Sequence, residues 1–166
     1  FLENVKNFAS HDGGRTLAVV KTTLSDLGYA VHTKVLNAVD YGVAQRRERI
    51  YIVAIRDDID GSDFVFPGPL GGVHTVDDIV LHNENMDELE IVRDDMVLKT
   101  SSIPNGPQGR VVRIGQVGKG RQGERIYHPF GQAITLSAYG GGIGGKTGIY
   151  YIDGKIRRLH PRECAR

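Results

Sequence analysis

The chain has 166 residues, with 21 lysines and arginines against 20 aspartates and glutamates, a net charge of +1, 40% hydrophobic residues and 25% charged ones. That balance is ordinary for a soluble globular protein and leaves room for one domain or two small ones. A single cysteine, Cys164, excludes an internal disulfide and fits a reducing, cytoplasmic setting, and no apolar run is long enough to span a bilayer.

In chain order, Phe1 to Val5 reads as a short strand running into a polar loop at Ser10 to Arg15. Leu17, Val20, Leu24 and Leu27 then recur at spacings of four or three, which predicts one face of a helix stopped by Gly28. Tyr29 to Leu36 alternates apolar and polar residues and is expected to be a strand. Ile50 to Arg56 is an apolar, buried strand, entered through the basic loop Gln45 to Arg49. Strand, helix, strand, basic loop and strand is the grammar of an α/β domain. Gly61 to Val73 is rich in glycine and proline and reads as a linker. Beyond it helical periodicity is scarce. Strands are expected at 110–117, 125–127, 133–138 and 148–152, with a hairpin turn at Asp153-Gly154. The second half is therefore a loop-rich, mostly β module.

Charge is unevenly spread along this layout. Glu84 to Asp95 holds six acidic residues and one base, whereas Arg110 to Arg125 holds five bases and one acid. Two further basic clusters lie at 46–49 and 155–166. A nucleic-acid partner requires clustered rather than total positive charge, and three clusters leave that reading open.

Gly140 to Thr147 spells G-x-x-x-x-G-K-T, the phosphate-binding loop of nucleotide hydrolases. That loop functions only where a helix starts at the Lys-Thr and aims its amides at the phosphates. Gly148 to Arg157 instead carries two glycines, β-branched and aromatic residues and a turn signal, which disfavours a helix. The loop is thus expected to join two strands and to lay its backbone against a ligand. Lys146 becomes a phosphate-backbone contact or a solvated residue. His160 and Cys164 are too few for a metal site, and no metal is expected.

Three runs carry chemistry: Phe1-LENV-Lys6, Tyr41-GVAQRRERIYIVA-Ile55 and Arg157-RLHPRECA-Arg166. Arg47 and Arg49 stand at alternate positions, so an extended backbone points both guanidiniums to one side. In their order and spacing these runs resemble the Glu-Asn-Val, Gln-x-Arg-x-Arg and Arg-x-Leu-x-x-Arg-Glu motifs of the cytosine-5 DNA methyltransferase family. The resemblance covers nearly the whole chain. It implies part of a Rossmann-like methyltransferase sheet domain (1–73), a small, mostly β target-recognition domain (74–156) and the start of a return segment to the catalytic domain (157–166).

The resemblance further implies double-stranded DNA as partner, S-adenosylmethionine as cofactor, a GCGC-like target and a place in a restriction-modification system. Such enzymes flip a cytosine out of the duplex, add a cysteine thiolate to ring carbon-6 and methylate carbon-5. Glu3 matches the glutamate at ring nitrogen-3, where a dry pocket is expected to favour its neutral, proton-donating form. Arg49 matches the arginine at oxygen-2, and Arg47 its neighbour near the DNA backbone. Gln122 matches the residue that pairs with the orphaned guanine, and Arg125 a base-reading arginine. Tyr139, Gly140, Gly141 and Gly142 match a second recognition loop. The family's Pro-Cys nucleophile and Phe-x-Gly-x-Gly cofactor loop precede the Glu-Asn-Val motif and have no counterpart in this stretch. Hence no cofactor-binding residue is assigned. The chain is expected to be an internal piece of a monomeric enzyme, inactive alone. The alternatives are one subunit of a split methyltransferase and a stand-alone DNA-binding module.

Overall fold

The alternation between Tyr29 and Asn37 does produce a strand, and the apolar run ahead of Arg56 produces its neighbour. In the computed structural model, which describes all residues except Ser62, Asn83 and Tyr139, the first elements are β1 (Leu2–Val5), α1 (Arg15–Asp26), β2 (Tyr29–Asn37) and β3 (Glu48–Arg56). They form a three-stranded sheet ordered β1-β3-β2. β3 runs antiparallel to both neighbours, in registers that pair Glu3 with Tyr51 and Leu36 with Arg49. β1 and β2 are therefore parallel, joined across β3 by α1. Leu17, Val20 and Leu24 are half-buried on α1, which packs on β2. Leu27, expected on the same stripe, is 67% exposed because the helix has already ended. Gly28 turns the chain at φ +80, a conformation natural only to glycine.

Ile50 and Ile52 on β3 are buried, whereas all four residues of β1 are exposed. On the opposite face of β3, Arg49, Tyr51 and Val53 alternate with them, and Val53 pairs with His32. Among the described residues, the segment after β3 has no helix or strand up to Thr75, in keeping with the glycine- and proline-rich composition of 61–73. Its Phe64 ring stacks on His32 at 5.0 Å.

The second half builds a five-stranded sheet ordered β4-β5-β6-β7-β8, from Met96–Leu98, Arg113–Val117, Arg125–Tyr127, Ile149–Ile152 and Lys155–Arg157. All neighbours are antiparallel except β6 and β7, which are parallel. Alternation along β6 and β7 sends Ile126 and Ile149 into one apolar cluster and Tyr127, Tyr150 and Ile152 into another on the opposite face. Both faces are covered, the second by Val76, Val80 and Leu159. Asp153 and Gly154 take φ +50 and +81, the turn expected between β7 and β8. A four-residue helix, α2 (Pro161–Cys164), follows.

Two expectations for this half change. The strand at 133–138 is absent: only Ala133 bridges, to Gln45. The backbone beyond it finds single partners, Ile134 N–H on the Tyr150 hydroxyl at 3.2 Å and Ser137 N–H on the Lys146 carbonyl at 3.0 Å. The place beside β6 that this segment would fill is taken by β7. The strand expected over 110–117 begins only at Arg113; ahead of it the Arg110 carbonyl accepts from Gln132 N–H and the Val112 carbonyl from His128 N–H.

Candidate functional site

The register of β1 against β3 sets Glu3 and Arg49 diagonally on one face of the sheet, close enough for long side chains to meet. Glu3 Oε1 lies 2.9 Å from Arg49 Nε and 4.0 Å from Arg47 Nη2. One carboxylate thus stands against two guanidiniums brought from 44 and 46 residues away. Arg49 is held further by a hydrogen bond from Nη1 to the Glu48 carbonyl, at 2.8 Å. Arg47 lies just before β3, where the Asn37 side chain accepts its backbone N–H at 2.9 Å. Glu48 itself pairs with Lys6 at 2.9 Å, tying the end of β1 to the start of β3. Asn37, Glu48 and Lys6 were not foreseen. Their role depends on strand register, which no local motif announces.

The dry pocket expected around Glu3 is not what the described residues form. Its side chain is 40% exposed and ion-paired, because β1 is an edge strand whose four residues are all exposed. Arg49 is the more sheltered partner, at 17%.

Cys164 lies elsewhere, beside Leu159 and Ala133 in the second sheet's core. Burial, and then the neighbouring Glu163 charge, push its thiol pKa up. A nucleophilic cysteine needs the opposite environment. Among the described residues no group of three or more His, Cys, Asp and Glu is arranged to hold a metal.

The residues expected to read DNA gather at one end of the five-stranded sheet. Gln122 opens a single 3-10 turn (Gln122–Glu124), closed where the Glu124 carboxylate accepts the Arg121 N–H at 2.9 Å. Arg125 follows as the first residue of β6, exposed and without a hydrogen-bond or ion-pair partner among the described residues. Gly140, Gly141 and Gly142 lie in the facing glycine loop, which leads directly into β7. Tyr139 falls outside the described residues. A cleft of about 230 Å³ separates the two loops, bordered by Gln122, Thr135, Gly140 and Gly145 among others. Arg121 and Lys146 are exposed near its rim, on the same two loops.

The two groups of residues are mechanically joined. Ala133 N–H donates to the Ala44 carbonyl at 2.7 Å, Arg46 N–H donates to the Ala133 carbonyl at 3.0 Å, and the Thr135 hydroxyl donates to the Arg46 carbonyl at 3.2 Å. The loop that carries Arg47 and leads into Arg49 on β3 is therefore strapped to the segment that feeds the glycine loop. Thr135 is a further residue that sequence reasoning missed, since its partner is 89 positions away.

Comparison with known proteins places the chain in a family. The family model for C-5 cytosine-specific DNA methylases matches residues 1–166. Type II methyltransferase M.HhaI of Haemophilus parahaemolyticus is 54% identical over all of this chain, which covers 50% of that protein. M.NgoBI of Neisseria gonorrhoeae is 32% identical over 99% of the chain and 48% of its own length. M1.ScrFI of Lactococcus lactis subsp. cremoris is 37% identical over 99% of the chain and 41% of its own length. The chain thus spans about half the length of the curated relatives it matches. Among solved structures, the Dnmt2 methyltransferase of S. pombe aligns with TM-score 0.59 at 16% identity, over 98% of this chain and 50% of that one. The Entamoeba histolytica methyltransferase EhMeth aligns equally well, at 15% identity over 97% and 47%. These two likenesses concern the fold alone, a sheet with helices of the Dnmt2 kind. With the family model matched end to end, the chain belongs to the C-5 cytosine-specific DNA methylase family.

Proposed function

We propose that this chain supplies the base-holding and target-reading parts of a DNA (cytosine-5) methyltransferase of a restriction-modification system, acting on a GCGC-like duplex. The observation that carries the reading is the Glu3–Arg49–Arg47 cluster, strapped through Ala133 and Thr135 to the paired loops. The pairing edge of cytosine offers ring nitrogen-3 beside carbonyl oxygen-2. A carboxyl group and a guanidinium lying side by side are complementary to that edge. Glu3 donates a proton to nitrogen-3, and Arg49 donates hydrogen bonds to oxygen-2, where negative charge gathers as a thiolate adds to the ring. Arg47 holds the backbone nearby. The Glu3 side of the Glu3–Arg49 pair is open to solvent, which leaves the carboxyl accessible to an arriving base.

Residues 1–73 act as a piece of the catalytic sheet domain, 74–156 as the target-recognition domain, and 157–166 as the return. Flipping costs a few kcal/mol, which Gln122 offsets by filling the vacated space and Arg125 by binding guanine. Gly140 to Gly142 approach the backbone, with Tyr139 in the same role. The thiol that attacks carbon-6 comes from outside these 166 residues, because half-buried Cys164 sits against the second sheet, away from the Glu3 cluster, with its thiol pKa pushed up. S-adenosylmethionine supplies the methyl group. The residues present do not fit it: the glycine loop runs into a strand, and its cleft of about 230 Å³ is below the ~300–1,000 Å³ usual for such ligands. The larger clefts, about 410 and 550 Å³, lie at the two edges of the five-stranded sheet and include none of the Glu3 cluster. The chain alone is therefore expected to be inactive in methyl transfer.

The test is a titration of a labelled GCGC duplex by the enzyme that contains this chain, over a range of salt. Affinity should fall steeply, with a log–log slope of about −0.9 for each phosphate neutralised. A flat salt response would contradict the reading. Arg125→Ala should relax discrimination between GCGC and singly altered duplexes by about 1–3 kcal/mol, measured as the ratio of methylation rates. An unchanged ratio would remove Arg125 from target reading.

A further inference from the structure

Among the described residues, the two loops bordering the cleft meet through glycine backbone. The Gly144 N–H donates to the Gly123 carbonyl at 2.8 Å. A Cβ added to Gly123 would lie 2.3 Å from the Gly141 carbonyl oxygen. Gly123 has no positive φ, so its backbone conformation is open to other residues. Glycine is required there by the closeness of the facing loop alone. Relieving a 2.3 Å contact to ordinary van der Waals distance moves one loop by about 1 Å, and neither loop has slack on its own side. The 121–124 turn is closed by Glu124, and Gly148 N–H holds the other loop to the Gly144 carbonyl at 2.8 Å.

We infer that Gly123 is a positioning residue that fixes the spacing of the two loops, so that Gln122 and the 140–142 backbone engage the duplex as one rigid jaw. The inference rests on the reading of these loops as DNA-facing. Gly123 lies in the 3-10 turn ahead of β6, outside the strands of the five-stranded sheet. Its replacement therefore acts on the jaw and not on the fold that carries it. Positioned chemistry is sensitive to such changes: displacements of about 1 Å cost on the order of a hundredfold.

The experiment compares wild type, Gly123→Ala and Gly109→Ala in the enzyme that contains this chain. A Cβ at Gly109 meets nothing within 4 Å, so that variant serves as the control. The readout is the rate ratio for a GCGC duplex against a singly altered one, together with amide exchange at Gly144. The expected result is a ratio at least about tenfold lower in Gly123→Ala, a Gly144 amide that exchanges freely, an unchanged unfolding midpoint, and a control like wild type. A Gly123→Ala enzyme that keeps the wild-type ratio overturns the inference while leaving DNA reading intact. A wild type that shows no preference between duplexes overturns the functional reading first and the inference with it. Should Gly123→Ala not fold, exchange in wild type decides. Protection at Gly144 matching that at Gly148 supports the junction, and exchange at the rate of an unstructured amide overturns it.

Discussion

Glu3→Gln should slow methyl transfer by about 10²–10⁴-fold, the range for a positioned proton donor, with duplex affinity changed only a few-fold. Glutamine keeps the size of the side chain and can still face Arg49, but it has no carboxyl proton to give. The proposed role of Glu3 is to meet the base and not the phosphates, so binding should survive its loss. Single-turnover rates and duplex titration on the same preparation separate the two effects. Equal loss of both would mean that Glu3 anchors the duplex and does not act on the base. Arg49→Lys should also be poorly tolerated. The guanidinium reaches Glu3 through Nε and the Glu48 carbonyl through Nη1, a fork that an ammonium cannot reproduce.

The second large effect lies far from the chemistry. Arg157 and Glu163 form a bidentate ion pair, with N–O distances of 2.7 and 2.8 Å and side chains 4% and 0% exposed. Glu163 also accepts the backbone N–H of Leu81 at 2.9 Å and of His160 at 2.7 Å. One carboxylate therefore gathers the end of β8, the start of α2 and the segment entering from Val80. Glu163→Ala should cost about 3–5 kcal/mol, the usual result of stranding one member of a buried pair. Equilibrium unfolding in urea at pH 7 measures it. A loss below 1 kcal/mol would show that the network is replaceable by water.

The same residue gives stability a direction in pH. Burial pushes the Glu163 carboxyl up, but hydrogen bonds from Arg157, Leu81 and His160 outweigh burial and hold it below the ordinary glutamate value. A group depressed in the folded state stabilises fully above its unfolded pKa, about 4.3. That contribution fades as pH falls through the folded value. Wild type should therefore lose stability on acidification below about pH 4, and Glu163→Gln should lose less over the same interval. Parallel pH curves for the two proteins would remove Glu163 as the cause.

How much of this was legible in the sequence differs between the two halves. Alternation at 29–36, the apolar run ending at Arg56 and the Leu17, Val20 and Leu24 stripe on α1 have periods that geometry enforces, and they appear where expected, whereas Leu27 falls past the helix end. Residues 133–138 also alternate, yet they form no strand, because alternation reports two faces and not whether a neighbour is there to pair with. β4 is three residues long and follows a charged run, too little for any pattern to register. The meeting of Glu3 with Arg49 required strand register, and the strap through Thr135 a tertiary contact. Motif resemblance supplied the residues, while their juxtaposition is a property of the fold. The phosphate-loop look-alike at 140–147 shows the converse: its pattern is complete, but β7 follows where a helix would be needed.

The central claim is that the Glu3 cluster acts on cytosine carbon-5 inside a target set by the paired loops. Its most direct test is the position of the transferred methyl group. A duplex holding one GCGC site is incubated with S-adenosylmethionine and the enzyme that contains this chain, then digested to nucleosides and analysed by mass. The account predicts 5-methylcytosine from that site alone, at a rate that collapses in Glu3→Gln. A methyl group on an exocyclic nitrogen, or equal methylation of a duplex lacking the site, would contradict it.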